Sequence, residues 1–168
     1  MKRDNDSVNN FVVFRLGKKE CTLPVSDVSE FVALPALARP PGLPSLLAGF
    51  LNLEGSAIPV IRLDRLFDLP ERDPDPYTPL IVLKTGDWSM ALLVDRITDI
   101  VTIAPDSMLS VQESQTFNDC AIGEIIVGGR AISVLSSERL LLEKERQSVA
   151  EFQAIEQRRL TEIERTAE

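Results

Sequence analysis

Three carboxylates stand where chemistry could be sought: Asp95 and Asp99 lie four residues apart, and Asp64 follows an apolar run that reads as a strand. Two acids at such a spacing could share general acid and base work. Nothing around them completes a site. The chain has no histidine, the residue used most often for proton transfer near neutral pH and the commonest zinc ligand. It also has no Gly-rich phosphate loop, no paired-cysteine metal spacing and no nucleophile elbow. Isolated carboxylates at turns normally cap backbone N–H groups or face water. The two cysteines, Cys21 and Cys120, sit within or beside apolar segments, the ordinary setting of a buried reduced thiol. A chain without catalytic residues, cofactor or metal is therefore expected, and contact surfaces are the other place to look for function.

The elements that would present such contacts are limited by size. A chain of 168 residues with 44% hydrophobic content can bury a core as one domain or two very small ones. The formal charge is -8, and Lys and Arg are scattered, so no basic surface is available to a nucleic acid. No apolar run approaches the roughly 20 residues needed to cross a bilayer, and the opening MKRDNDSVNN has no apolar core for export. Cytoplasmic location without direct membrane insertion is the expectation.

The chain repeats itself. FVVFRLGKKECTLPVSDVSEFVAL from Phe11 aligns without a gap on LIVLKTGDWSMALLVDRITDIVTI from Leu80, an offset of 69. Val13 falls on Val82, Leu23 on Leu92, Val28 on Ile97, Glu30 on Asp99 and Phe31 on Ile100. GFLNLEGSAIPVIRLDRL from Gly49 aligns likewise on GEIIVGGRAISVLSSERL from Gly123, an offset of 74. One insertion in the polar, turn-rich stretch between Ile103 and Cys120 reconciles the two offsets.

Each copy reads as five short strands. In the first these are Phe11 to Leu16, Glu20 to Val25, Val28 to Leu34, Gly49 to Leu53 and Ala57 to Leu63. In the second they are Leu80 to Thr85, Trp88 to Val94, Ile97 to Ile103, Ala121 to Val127 and Ala131 to Leu135, with a turn over Gly86 and Asp87. Strands of this length and spacing indicate small barrels. PERDPDPYTP between the copies should be an exposed connection. After Ser136, Ser137 and Glu138, a plausible helix start, no Gly or Pro follows, and Val149, Phe152, Leu160 and Ile163 fall within about 80° of arc. Leu140, Leu141 and Leu142 should lie back on the strands. Beyond Gln147 the stripe is open to two roles, a handle for a partner helix or self-association.

These residues resemble the CheW family of chemotaxis coupling proteins. The likeness is carried by GFLNLEGSAIPVIRLDRLF preceded by PPGLPSLLA, and by FVVFRLGKKECTLPVSDVSEFV, MALLVDRITDIV and GEIIVGGRAISVLSSERLL in the family's order and spacing, over about Phe11 to Glu143. The resemblance implies an all-β fold of two related five-stranded SH3-like β-barrels with pseudo-two-fold symmetry, plus short helical turns and a C-terminal α-helix. The expected organisation is a flexible stretch over 1–10, a CheW-like domain over 11–136 with repeat copies at about 11–66 and 80–140 that can intertwine, and an amphipathic helix over 137–168.

The resemblance also implies a role, bridging a chemoreceptor's cytoplasmic tip to the regulatory domain of a chemotaxis histidine kinase, with recruitment to membrane receptor arrays through those partners. An interaction module of a pilus-type motility pathway is the alternative. Val28, Ile97 and Ile100 occupy places that in the family contribute to partner contact, and Gly49 and Gly55 places where substitutions disturb binding. For the valine and isoleucines core packing is an equal reading, and for the glycines a folding role is the stronger one. Where the family usually has Asn-Leu-Arg-Gly, this chain has Asn52-Leu53-Glu54-Gly55, while the family's acidic neighbour is retained as Glu30. If Glu54 and Glu30 share a cleft they repel, by about 1 kcal/mol at close range. The missing cation must then come from a partner, or from Arg39 or Arg130.

Overall fold

The runs FVVF and LIVL that open the two copies are too uniformly apolar for strands wet on one side. They form the middle of β1 (Asn9–Leu16) and β6 (Pro79–Thr85), and Val12, Val13, Phe14, Ile81, Val82 and Leu83 are all buried. The structure, a computed structural model, describes residues 9–85, 88–109 and 120–167. Its other strands are β2 (Lys19–Pro24), β3 (Val28–Ala33), β4 (Leu47–Leu53), β5 (Ser56–Arg62), β7 (Trp88–Leu93), β8 (Arg96–Ile103), β9 (Ala121–Val127) and β10 (Arg130–Leu135). Every strand expected from the sequence is present, with small shifts at the ends. The turn over Gly86 and Asp87, residues 1–8 of the N-terminal stretch and 110–119 of the proposed insertion lie outside the described residues.

The strands form two five-stranded sheets, ordered β8-β1-β2-β10-β9 and β3-β6-β7-β5-β4. Each therefore mixes both copies. Advancing every strand number by five, counting from ten back to one, converts the first order into the second. The operation is its own inverse, which is the signature of a pseudo-two-fold relation. Pairing directions follow it too: β2 with β10 and β7 with β5 are parallel, and the remaining ladders are antiparallel.

Register obeys the same offsets residue by residue. Val13 opposes Asp99 and Phe14 opposes Ile97, skipping Thr98; Val82 opposes Glu30 and Leu83 opposes Val28, skipping Ser29. Val134 opposes Gly123 and Leu135 opposes Ala121, skipping Ile122; Val60 opposes Gly49 and Ile61 opposes Leu47, skipping Ala48. Both β-bulges are thus duplicated, which chance similarity between apolar strands would not produce.

Alternation along β1 and β6 sends side chains to two places. Val12, Phe14, Ile81 and Leu83 join Cys21, Phe50, Phe67 and Met90 in a central core shared by both sheets. Phe11 and Val13 pack with Ile125, Ile132 and Val134 in one outer core, and Leu80 and Val82 pack with Leu51, Ile58 and Val60 in the other. The buried hydroxyl of Thr22 donates to the carbonyl of Val12 at 2.6 Å, so its burial leaves no orphaned polar atom.

A short α1 (Leu63–Leu66) follows β5. Ser137–Arg139 form a 3₁₀ turn, and the long α2 (Glu143–Ala167) starts four residues later, where the Glu145 carboxylate accepts the Leu142 N–H at 2.8 Å and stands in for half a capping box. Leu140 and Leu141 are buried and Leu142 is exposed. α2 crosses β4 and β5, with Val149 fully buried and Phe152 and Leu160 against the central core. Gln157 accepts the Ala57 N–H and donates to the Gly55 carbonyl, and Gln153 donates to the Ala57 carbonyl, each at 2.9 Å. The β5–β7 ladder begins only at Val60, so these glutamines satisfy strand groups that lie ahead of it.

Candidate partner interface

The carboxylates that might have done chemistry are committed to structure. Asp64 takes a two-pronged bond from Arg62, at 3.1 and 2.7 Å, and accepts the Arg65 N–H; the hydrogen bond to Asp64 raises the Arg62 guanidinium pKa above its ordinary value. Asp95 accepts the Gly17 N–H at 2.6 Å and faces Arg72 at 3.6 Å. Asp99 accepts the N–H of Ile100. Cys21 and Cys120 are buried free thiols, and burial pushes the Cys21 thiol up to about 12, against weaker opposition from Lys19. Among the described residues no group of His, Cys, Asp or Glu is placed to hold a metal, and no helix is long and apolar enough to cross a membrane.

The expected contact residues fall at three places. Val28 on β3 and its equivalent Ile97 on β8 are half-buried and pack against the central core. Glu30 on β3 and Ile100 on β8 are exposed, Ile100 by 56%. Gly49, Glu54 and Gly55 belong to β4 and the β4–β5 turn. β3 and β4 are the two outer strands of one sheet, and β8 is an outer strand of the other. No ion pair is made by Glu30 or Glu54 among the described residues, and the suggested internal cations are engaged elsewhere: Arg39 donates to the Ala48 carbonyl, and Arg130 pairs with Glu20.

Gly49 is a packing residue. It sits at a bulge with φ of 151°, and a Cβ there would lie 2.7 Å from the Ala38 carbonyl oxygen and 2.9 Å from the Leu37 Cβ. Ala38 is held in that position by paired hydrogen bonds to Phe50 at 2.9 and 2.8 Å. Gly55 and Glu54 form a two-residue turn with φ of 90° and 53°, positive at both positions like Gly128 and Gly129 in the second copy. Turns of this type match strand twist and favour Gly or Asn, so Glu54 holds a conformation its side chain disfavours. The Gly55 N–H is fixed by the Asn52 side chain at 2.9 Å.

A large exposed apolar residue escaped the sequence-level choice. Phe31, 45% exposed, is the equivalent of Ile100 on the opposite outer strand. The gapless repeat alignment pairs them, so the signal was present. Each lies beside an acid, Glu30 or Asp99, and the molecule carries the same apolar and acidic combination twice. Ile122 and Ile126 on β9 are also exposed, by 42% and 53%, and only their outward setting on an edge strand reveals them.

Comparison with known proteins agrees with this geometry. A crystal structure of scaffolding protein TtCheW from Thermoanaerobacter tengcongensis superposes with a TM-score of 0.76 at 22% identity, covering 84% of this chain and 93% of that one. Chemotaxis protein CheW of Helicobacter pylori is 27% identical over 143 residues, 83% of this chain and 86% of its own length. Chemotaxis protein CheW of Bacillus subtilis is 27% identical over 145 residues, 85% of this chain and 93% of its own length. The CheW-like domain model matches residues 10–145, which takes in both sheets and stops at the first turn of α2, and the chain accordingly belongs to the CheW-like domain family.

Proposed function

We propose that this chain is a non-catalytic scaffold in bacterial chemotaxis signalling, coupling a chemoreceptor's cytoplasmic tip to the regulatory domain of a chemotaxis-type histidine kinase. It acts in the cytoplasm and reaches receptor arrays through those partners. The observation that carries the reading is the duplicated exposure of Phe31 and Ile100 on the outer strands β3 and β8. A molecule with one apolar patch can bind one neighbour; a molecule with two equivalent patches on different sheets can hold two apart at a fixed distance. A pull-down with the kinase regulatory domain and a receptor cytoplasmic hairpin tests this. Both should be retained, Phe31→Ser and Ile100→Ser should each weaken one of them, and retention of neither by the unmodified chain would refute the coupling role.

Glu54 sets the specificity within that role. An exposed acid in place of the family's arginine, with Arg39 and Arg130 engaged elsewhere, selects a partner with a complementary basic patch. Glu54→Arg should redistribute affinity among receptor tips, and identical affinity for every tip would end the specificity argument. α2 also carries Ile155 and Ile163, 44% and 60% exposed, and self-association is assigned to these residues. Sedimentation of the chain and its Ile163→Glu variant tests the assignment, with identical monomer profiles at all concentrations as the refuting result.

A further inference from the structure

Glu156 lies on the wrong face of its helix for a solvated acid. At about 100° per residue it falls between Phe152 and Val149, on the face α2 turns toward the sheet, and the residue is 4% exposed. Its Oε1 is the one buried side-chain oxygen or nitrogen among the described residues that lacks a hydrogen-bond partner. The ion pair it makes, with Nη1 of Arg159 at 3.6 Å, exceeds hydrogen-bonding length and involves an arginine side chain that is 60% exposed. Buried carboxylate oxygens are costly unless hydrogen-bonded, and α2 supplies this long ion pair but no hydrogen bond.

The same carboxylate lines a cleft of about 290 Å³ between α2, β4 and the segment before β4, walled by Leu37, Phe50, Leu51, Asn52 and Leu160. Asn52 leads from the cleft to Gly55, against which the Glu164 carboxylate sits, and Glu54 is exposed beside it. The cleft is thus an apolar slot with an unsatisfied acceptor and an acidic rim whose one identified counter-ion is Arg159, on a chain of formal charge -8. Long basic side chains combine an apolar stem with a cationic head, and a guanidinium offers a planar fork suited to a carboxylate.

We infer that this cleft receives a basic side chain, arginine in preference, presented by a protein neighbour, with its stem on Leu37, Phe50 and Leu160 and its head donating to Oε1 of Glu156. The coupling role enters only in naming who presents the side chain. Titration of the isotopically labelled full-length chain with acetyl-Leu-Arg-Leu-amide, and separately with the same peptide carrying neutral citrulline, tests the cleft by NMR. The arginine peptide should bind about tenfold more tightly and shift the amides of Leu37, Asn52 and Glu156; equal affinities, or shifts confined to other faces, would overturn the inference. In Glu156→Gln the preference for arginine should vanish while the melting temperature holds, and a retained preference would again overturn it. In pull-downs, Glu156→Gln should weaken capture of the receptor hairpin or the kinase domain severalfold, and undiminished capture of both counts against the inference. Should the unmodified chain capture neither, the coupling role fails, and the peptide titration still decides the cleft.

Discussion

Replacing Gly49 by alanine should unfold the molecule at a markedly lower temperature without touching any exposed surface. The new methyl group would sit 2.7 Å from the Ala38 carbonyl oxygen, 2.9 Å from the Leu37 Cβ and 3.2 Å from the Arg39 Cγ. The segment cannot recede cheaply, because Ala38 and Phe50 exchange two backbone hydrogen bonds, each worth about 1 kcal/mol net. Overpacking of this kind costs about 1–3 kcal/mol, and a backbone angle of 151° outside the range of L side chains adds roughly 1–3 kcal/mol. Set against the 5–15 kcal/mol typical of a domain, a loss of about 2–6 kcal/mol lowers the melting temperature by roughly 5–20 °C. Gly123, its equivalent, is an internal control. There the nearest obstacles are Sδ and Cγ of Met108, the movable end of a flexible side chain, with the Leu109 carbonyl at 3.0 Å, and no positive φ is involved. Thermal melts followed by circular dichroism should rank Gly49→Ala well below Gly123→Ala. A Gly49→Ala protein that melts within about 2 °C of the unmodified chain, less than the shift expected of even 1 kcal/mol, would refute the packing argument and return this residue to the partner surface.

Other substitutions should respond in defined directions. Glu54→Asn relieves a left-handed residue and should raise stability by about 1 kcal/mol, read as a higher urea midpoint; a lower midpoint would mean that Glu54 makes a compensating contact. Gln157→Ala leaves the buried Ala57 N–H without its acceptor and should cost about 1–3 kcal/mol, with faster hydrogen exchange at Ala57 as the direct measurement. Because burial raises the Cys21 pKa from 9.0 to about 12, both folded and unfolded chains hold a neutral thiol below pH 9. Between pH 9 and 12 the unfolded chain alone releases its proton, so stability falls across that window. Cys21→Ala should flatten this part of the pH profile, and a profile unchanged by the substitution would contradict the assignment.

Strand positions were legible because β1 and β6 carry uninterrupted apolar runs and the turns carry glycine at matched places. Self-similarity revealed more than any single motif, since the offsets of 69 and 74 reappear in the observed register down to the skipped residues Ser29, Thr98, Ala48 and Ile122. What alternation could not reveal was which strands share a sheet, for the parallel contacts β2–β10 and β5–β7 join segments with no local signal. The contact residues were harder. Val28 and Ile97 are β-branched aliphatics like Ile100, and only depth separates them. Glu156 carried no signal at all, because a charged residue on a helix reads as solvated until the neighbouring sheet is in place.

The exchange of strands between the two sheets has a consequence for how the molecule is made. Val12 must find Ile100, 88 positions away, and Cys21 must find Ser133, 112 away, so the β8-β1-β2-β10-β9 sheet cannot close until Leu135 has been made, whereas every strand of the other sheet exists by Leu93. Early strands wait with an open edge during synthesis, which slows folding and leaves them vulnerable to pairing with the wrong chain. It also means that half the gene could not have encoded half the molecule. A single-copy ancestor with this topology would have traded β-segments with its twin, and fusion of two such copies would turn an encounter between molecules into an event within one.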